Sequence, residues 1–355
     1  MDRALLLAER AAGRTTPNPL VGAVVVSPDG VVVGSGHHAR AGEAHAEVRA
    51  LDAAGEAARG ATLYCTLEPC SHHGRTPPCV DRILASGIAR VVAAVQDPNP
   101  RVAGRGLRAL SAAGVRVEVG LGEHAAERVN RPFFSVMRRG RPFVIAKAAT
   151  SLDGRVAAGA GQTTRLTGPA ADRQTQVLRA RVDAIAVGSG TILADDPLLT
   201  ARDVFRERPL ARVIFDRRLR TPSTSRIFAT LAAGPVYVLT TAEERMRSAD
   251  RVQALERAGA TVVTVLDGGI TAALATLAGI GIQALLVEGG PVLHDAFWRE
   301  RAIDVVRIIV TPRVLGAAGV PWFSSHQLAA SDLRHLDVVP CGPDVIMEGD
   351  VYRTD

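Results

Sequence analysis

Between residues 45 and 79 the chain reads HAEVRALDAAGEAARGATLYCTLEPCSHHGRTPPC, a stretch that holds one imidazole and two thiols able to share a metal. His45, Cys70 and Cys79 form a donor set suited to zinc. Catalytic zinc takes three protein ligands and keeps its fourth position for water, whereas structural zinc closes all four. Glu47 bears on that choice. Residues two apart on a helix diverge, so His45 and Glu47 are poorly placed to share one ion from mid-helix. At the opening of a helix, however, the carboxylate can reach a water beside the ion and serve it as general acid and base. The alternative is a structural site closed by His72 or His73, which leaves the His-Ala-Glu spacing without a purpose.

The thiols stand where a thiolate is favoured. Cys70 follows Pro69 at the end of a strand, and Cys79 opens a helix that Pro78 begins, where the helix N-terminus attracts negative charge. Two thiolates and a neutral imidazole balance the charge of Zn²⁺. The other cysteines need no chemistry. Cys65 lies in the apolar run ATLYCTL and reads as a buried small hydrophobe, and Cys341 has no polar neighbours in sequence. Four cysteines in 355 residues do not make a disulfide framework.

These side chains need a layered scaffold, and the first 140 residues supply its pattern. A helix near 2–12 leads into VGAVVVSPDGVVVGSGHH, two Val-rich runs about a Pro-Asp-Gly turn that predict a hairpin. EAHAEVRALDAAGEAA predicts a helix, ATLYCTLEP a strand, and PPCVDRILASG a helix with Pro at its start and Gly past its end. RVVAAVQD, GRGLRALSAAG and VRVEVGL continue as strand, helix and strand, so the segment reads as an α/β sheet with helices packed on it. The Arg/Gly/Pro cluster at 138–142 reads as a linker, which divides the chain into residues 1–141 and 142–355. FVIAKAAT opens the second part as a strand. There AADRQTQVLRARV is a helix, and AIAVGSG, ARVIFD and PVYVLTT are strands. A helix near 243–258, the strand TVVTVL, a helix near 270–279, ALLVEGG, a helix near 291–300 and strands such as VVRIIVTPRVL complete it.

Composition narrows the class. The length favours two domains, and 47% hydrophobic residues support real cores. No apolar run is long enough to cross a bilayer, and MDRALLLAERAAGRTTPNP lacks the core of a signal peptide, so a cytoplasmic protein with no membrane partner is expected. The net charge is +6, but the basic residues are mostly scattered among acids and only 4% of residues are aromatic. A nucleic-acid partner is therefore not expected, and small anionic ligands account for the charge. Lys147 is the only lysine. In a chain otherwise rich in Arg, it offers a compact ammonium that Arg cannot imitate, although a surface lysine at a strand end is the plain alternative.

The His-Ala-Glu and Pro69-Cys70 pieces match the zinc nucleobase deaminase signature, with SHHGRTPP inserted between the cysteines. EPCSHHGRTPPC, preceded by TTPNPLVGAVVV and followed by QDPNPRVAGRG, resembles the riboflavin-biosynthesis pyrimidine deaminases. SLDGR, TILADDPLLTAR and VEGGP resemble the reductase domain fused to that deaminase in bacteria. The resemblance spans nearly the whole chain. It implies a cytidine-deaminase-like three-layer α/β/α domain followed by a dihydrofolate-reductase-like α/β domain. The implied chemistry is hydrolytic deamination of a phosphoribosylated diaminopyrimidinone, then NADPH-dependent reduction of its ribosyl chain, by a protein expected to be a homo-oligomer.

The same resemblance assigns residues. Glu47 moves protons for the deamination, and Asn18 in TPNP holds the ring or sugar, with a turn Asn between prolines as the alternative. Arg75, in the loop between the cysteines, is expected on the substrate phosphate. In the second half no G-x-G-x-x-G is present, so a Rossmann site is not expected. VEGGPVL instead ends a strand at Glu288, lets a backbone approach at Gly289 and Gly290, and starts a helix whose N-terminus suits pyrophosphate. The resemblance places Ala149, Arg165, Thr191, Asp195, Arg217 and Gly290 on the cofactor, Arg165 standing where the family often has Trp. It places Thr163, Arg179, Leu199, Arg202 and Glu288 on the substrate, and Lys147 at the catalytic lysine before SLDG. Arg217, with Arg218 and Arg220 close by, is expected to receive the 2′-phosphate that distinguishes NADPH from NADH. Three competing readings stay open at this stage. These are a nucleic-acid or nucleoside deaminase fused to an unrelated binding domain, a structural metal protein, and a chain with one active half.

Overall fold

A computed structural model describes residues 1–72, 77–100, 102–323 and 332–351. The chain divides into two compact units, Met1–Gly140 and Arg141–Asp355.

The first unit contains α1 (Asp2–Glu9), β1 (Gly22–Val26), β2 (Val32–His37), α2 (Ala46–Ala54), β3 (Thr62–Cys65), α3 (Cys79–Ala85) and β4 (Arg90–Ala93). It ends with α4 (Arg105–Ala112), β5 (Arg116–Val119), α5 (Glu123–Val129) and α6 (Arg131–Arg139). Its sheet has the order β2-β1-β3-β4-β5. β1 pairs antiparallel with β2 and β3, while β3, β4 and β5 run parallel. Alternation along β1 sorts the layers. Ala23 and Val25 pack with Ala46, Ala50, Leu51, Val80 and Ile83 of α2 and α3, whereas Val24 packs on Ala4 and Leu7 of α1. The result is the three-layer α/β/α arrangement.

Glycine on β2 determines how close α2 can lie. A Cβ on Gly34 would sit 2.2 Å from the Ala50 carbonyl oxygen, and one on Gly36 would sit 2.6 Å from the Arg49 Cβ. The small faces of helix and strand thus meet backbone to backbone, which fixes the start of α2, and with it His45 and Glu47, against the sheet.

The second unit holds β6 (Phe143–Ser151), β7 (Arg155–Ala157), α7 (Pro169–Arg181), β8 (Ala184–Gly188), α8 (Ser189–Asp195), β9 (Ala211–Phe215) and β10 (Val236–Thr241). It continues with α9 (Ala242–Arg247), α10 (Ala249–Arg257), β11 (Ala260–Val265), α11 (Ile270–Gly279), β12 (Ala284–Val287) and α12 (Pro291–Arg299). The last strands are β13 (Val305–Thr311), β14 (Val320–Pro321), β15 (Leu333–Cys341) and β16 (Asp344–Val351). The main sheet runs β11-β10-β9-β8-β12-β6-β13-β16-β15. Every pairing from β11 to β13 is parallel, and the β13–β16 and β16–β15 pairings are antiparallel. Parallel strands are buried on both faces. Accordingly Ala184 and Ala186 of β8 enter one core, while Ile185 and Val187 enter the other. Among the described residues, no helix is long and apolar enough to cross a membrane.

The sequence reading departs from the fold at three places. The segment expected as one helix near 243–258 is two, α9 and α10, broken at Ser248 (φ −113°, ψ 43°). Helices α5 and α6 were not expected. The basic cluster taken for a linker begins inside α6, whose last turn carries Arg138 and Arg139 and whose end is set by Gly140 in the left-handed region (φ 65°). The short α8, which carries the LADD residues, was not expected as a helix either.

Candidate active sites

The first site is assembled where one helix starts, one turn closes and a second helix starts. His45 is the N-cap of α2 in extended conformation (φ −69°, ψ 161°), so its side chain leaves the helix while Glu47 lies in the first turn. Cys79 is the first residue of α3. The His45 Nδ1 atom lies 3.2 Å from the Cys79 Sγ and 3.5 Å from the Cys70 Sγ. The Cys79 backbone N–H donates to the Cys70 Sγ at 3.3 Å. All three ligand atoms fall within 4.8 Å of one another, and no fourth metal-binding side chain joins them among the described residues. His72 is outside the group, and His73 and Arg75 lie outside the described residues.

Glu47 completes the arrangement. It is 3% exposed, and its Oε2 has no hydrogen-bond partner among the described residues. Burial pushes its carboxyl up to about 7. The hydrogen bond with the Cys79 thiol, helped by that with the His45 imidazole, holds the Cys70 thiol well below the ordinary thiol range against its desolvation. An N,S,S donor set beside a buried carboxylate oxygen with nothing to bond is the donor chemistry of a three-ligand zinc site that serves a water, so the residues fit the ion.

Two contributors were missed in the sequence. His38, 2% exposed, lies edge-to-face with His45, the ring centroids 5.3 Å apart. The Asn18 Nδ2 donates to the His38 Nε2 at 3.0 Å, so the His38 Nδ1 carries the proton and donates to the Ala44 carbonyl at 3.3 Å. Burial lowers the His38 pKa, which suits this neutral form. Asn18 thereby reaches the metal cluster's surroundings through His38. The repeated His of GSGHH was the available signal. The second missed residue is Glu68, 3% exposed, just before the Pro69–Cys70 turn.

The second site is a cleft of about 1290 Å³. Its walls include Lys147, Ala148 and Ala149 of β6 and residues at or just past the C-terminal ends of β8, β9 and β12, where open parallel sheets bind ligands. Lys147, Ala149, Thr163, Arg165, Thr191, Asp195, Arg217, Glu288 and Gly290 all line it. Gly290 is the N-cap of α12, and a Cβ placed there would meet nothing nearer than the Thr191 Oγ1 at 3.9 Å. The Thr163 Oγ1 donates to the Asp195 Oδ1 at 2.6 Å, joining a residue expected on substrate to one expected on cofactor. The Arg165 side chain is 77% exposed and holds the Asp172 Oδ2 at 3.0 Å.

Three expected residues do not line the cleft. Arg179 lies behind Glu288 and grips it bidentately, Nε to Oε1 at 2.8 Å and Nη2 to Oε2 at 2.9 Å. Its Nη1 donates to the Thr200 carbonyl at 2.9 Å. Leu199 is buried with φ 52°, and Arg202 is exposed while its backbone N–H donates to the Gln176 Oε1 at 2.8 Å. Glu288 also faces Lys147, the Nζ lying 3.9 Å from Oε2. Burial would raise the Glu288 carboxyl, but the Arg179 and Lys147 charges hold it down to about 2. Burial lowers the Lys147 pKa, only partly offset by Glu288.

Comparison with known proteins bears on both sites. Residues 1–95 match the cytidine and deoxycytidylate deaminase zinc-binding region, and residues 142–347 match the RibD C-terminal domain. The chain is 42% identical to the riboflavin biosynthesis protein RibD of Bacillus amyloliquefaciens, over 99% of this chain and 98% of that protein. It is likewise 42% identical to the protein of that name from Escherichia coli, over 98% and 97% of the two chains. Among solved structures, RibD of Acinetobacter baumannii superposes with a TM-score of 0.88 at 36% identity, covering 99% of this chain and 98% of that one. A diaminohydroxyphosphoribosylaminopyrimidine deaminase/5-amino-6-(5-phosphoribosylamino)uracil reductase from Thermotoga maritima does so at 0.85 and 33%, covering 99% and 97%.

Proposed function

The chain belongs to the RibD family of riboflavin-biosynthesis proteins, and from that premise we propose how its residues divide the work of a zinc-dependent deaminase and an NADPH-dependent reductase. The substrate of the first half is the 2,5-diamino-6-(5-phosphoribosylamino)pyrimidin-4-one ring system, whose 2-amino group is replaced by oxygen. His45, Cys70 and Cys79 hold zinc, which when bound supplies Lewis-acid activation of water. Glu47 accepts the proton that the attacking water loses. It passes that proton to the ring nitrogen and then carries the water's second proton from the new hydroxyl to the amino group, which leaves as ammonia as the carbonyl forms, a shuttle that its buried and raised carboxyl suits. Asn18, aimed by His38, orients the ring or its sugar, and Arg75 meets the phosphate.

In the second half, bound NADPH supplies the hydride. As the sugar carbon is reduced, Lys147 would supply the proton taken up by the heteroatom that gains the released electron pair. A buried ammonium with a lowered pKa gives up that proton more readily than an exposed one. Glu288 keeps Lys147 in place and meets the polar edge of the pyrimidine. Thr163 serves the substrate side, and Arg179 acts on it through Glu288. Ala149, Arg165, Thr191, Asp195, Arg217 and Gly290 serve the cofactor.

The observation that carries this reading is the unpartnered, buried Glu47 Oε2 beside the three converging zinc ligands. Incubating the protein with the diaminopyrimidinone phosphoriboside should release ammonia without NADPH, and adding NADPH should then start its oxidation. A strong zinc chelator should remove the first activity and leave reduction of the already deaminated compound intact. Ammonia release that survives complete metal removal would defeat the zinc assignment.

Cofactor choice gives a second expectation. Arg217→Ala removes a charge-assisted contact to the 2′-phosphate and should narrow the NADPH/NADH preference in kcat/KM by roughly tenfold or more. An unchanged ratio would remove Arg217 from that role.

A further inference from the structure

The segment QDPNPRVAGRG marks the family in the sequence yet has no part in the chemistry above, and Glu68 connects it to the metal centre. The Glu68 Oε2 accepts the Gly104 N–H at 2.8 Å and the Asp97 N–H at 3.2 Å, which lie at the two ends of the 97–104 loop. Its Oε1 accepts the Gly106 N–H at 2.9 Å and the Leu107 N–H at 3.4 Å, in the first turn of α4. One buried carboxylate thus satisfies four backbone donors and makes no ion pair among the described residues. The contact is tight from the other side as well, because a Cβ on Gly106 would lie 2.0 Å from the Pro69 carbonyl oxygen. Cys70 follows Pro69 directly, so whatever fixes this turn fixes a sulfur ligand.

We propose that Glu68 is a positioning residue of the deaminase: its carboxylate clasps the ends of the 97–104 loop and the start of α4 beneath the Pro69–Cys70 turn, and so sets the affinity for the metal. The proposal rests on the zinc reading given above. An anion at a helix start, taking charge-assisted bonds from amides, is a stiff support. Groups that hold metal ligands in place without touching the metal commonly govern affinity.

Glu68→Gln tests it. A carboxamide has one oxygen, and its NH₂ would face amide donors, so part of the clasp opens in either orientation. In a chelator competition with the full chain, the variant should bind zinc ~10–100-fold more weakly than the parent. Its ammonia release should recover at saturating zinc, and reduction of deaminated substrate should be unchanged. Gly106→Ala, which presses on the same turn from α4, should weaken zinc in the same direction, and Glu68→Asp, which keeps both acceptor oxygens, should restore most of the loss. Zinc affinity within about twofold of the parent in these variants, even with lowered thermal stability, would reduce Glu68 to a purely structural role. A parent protein that binds no zinc would instead overturn the metal reading itself.

Discussion

Glu47→Gln should lower ammonia release by on the order of 10³-fold, with zinc content and reduction of deaminated substrate both retained. The substitution keeps the shape and burial of the side chain but removes its capacity to take a proton. The parent Glu47 is well suited to that task, since its carboxyl is raised to about 7 by burial at the start of α2. General acid–base groups work best when their pKa lies near the working pH, and the single carboxyl serves both as acceptor from water and as donor to the leaving amine. The amide should also lose nothing in metal binding, because the ligand atoms come from His45, Cys70 and Cys79. Quantifying ammonia and bound zinc on the same preparation separates the roles. Full-speed ammonia release from the zinc-loaded variant would remove Glu47 from catalysis.

The metal site was open to a sequence reading because its parts lie within 35 consecutive residues, with His45, Glu47 and Cys79 at the starts of helices. An N-cap histidine, a first-turn glutamate and a cysteine at the start of a helix are local features, and helix geometry alone says where they point. The clasp beneath it was not open in that way. Among the described residues Glu68 bonds only to backbone amides, which every sequence provides, so no residue type announces its partners. The fold shows the same division. The Val-rich hairpin, the strands and the longer helices were legible from periodicity, whereas Ser248 divides α9 from α10 without the Pro or Gly that usually marks such a break. In α6, arginines drew attention to a linker while Phe133 and Phe134, both buried, were making a helix face.

The reductase cleft depended on contacts far apart in the chain. Arg179 and Glu288 are 109 residues apart, and they meet because β12 lies beside β8, the strand that follows α7. The resemblance assigned both residues to the substrate, but their mutual bidentate bond follows only from the order of strands in the sheet. Lys147 is different. As the sole lysine of the chain it stood out by composition, and it occupies β6 beside β12, where its ammonium reaches Glu288.

That arrangement supports a large effect from one carboxylate. Glu288→Gln should destabilise the protein by about 3–5 kcal/mol and abolish reduction while ammonia release continues under conditions where the chain stays folded. The parent carboxylate sits in the interior against two cations, Arg179 at 2.8 Å and Lys147 at 3.9 Å. A neutral amide takes the nearest counter-ion from both buried positive charges and leaves them only the more distant Asp172, which costs more than the original pair contributes relative to an apolar replacement. The pH dependence carries a definite sign. The Glu288 carboxyl is held down to about 2 in the folded protein against an ordinary value of 4.5, so its stabilisation is whole above about 4.5 and is lost as the pH falls toward 2. Denaturant midpoints measured from pH 7 downward should therefore show the parent and Glu288→Gln far apart at neutral pH and converging through that acid window. Parallel curves with a constant gap across the window would mean that the carboxylate charge is not what holds Arg179 and Lys147 in place.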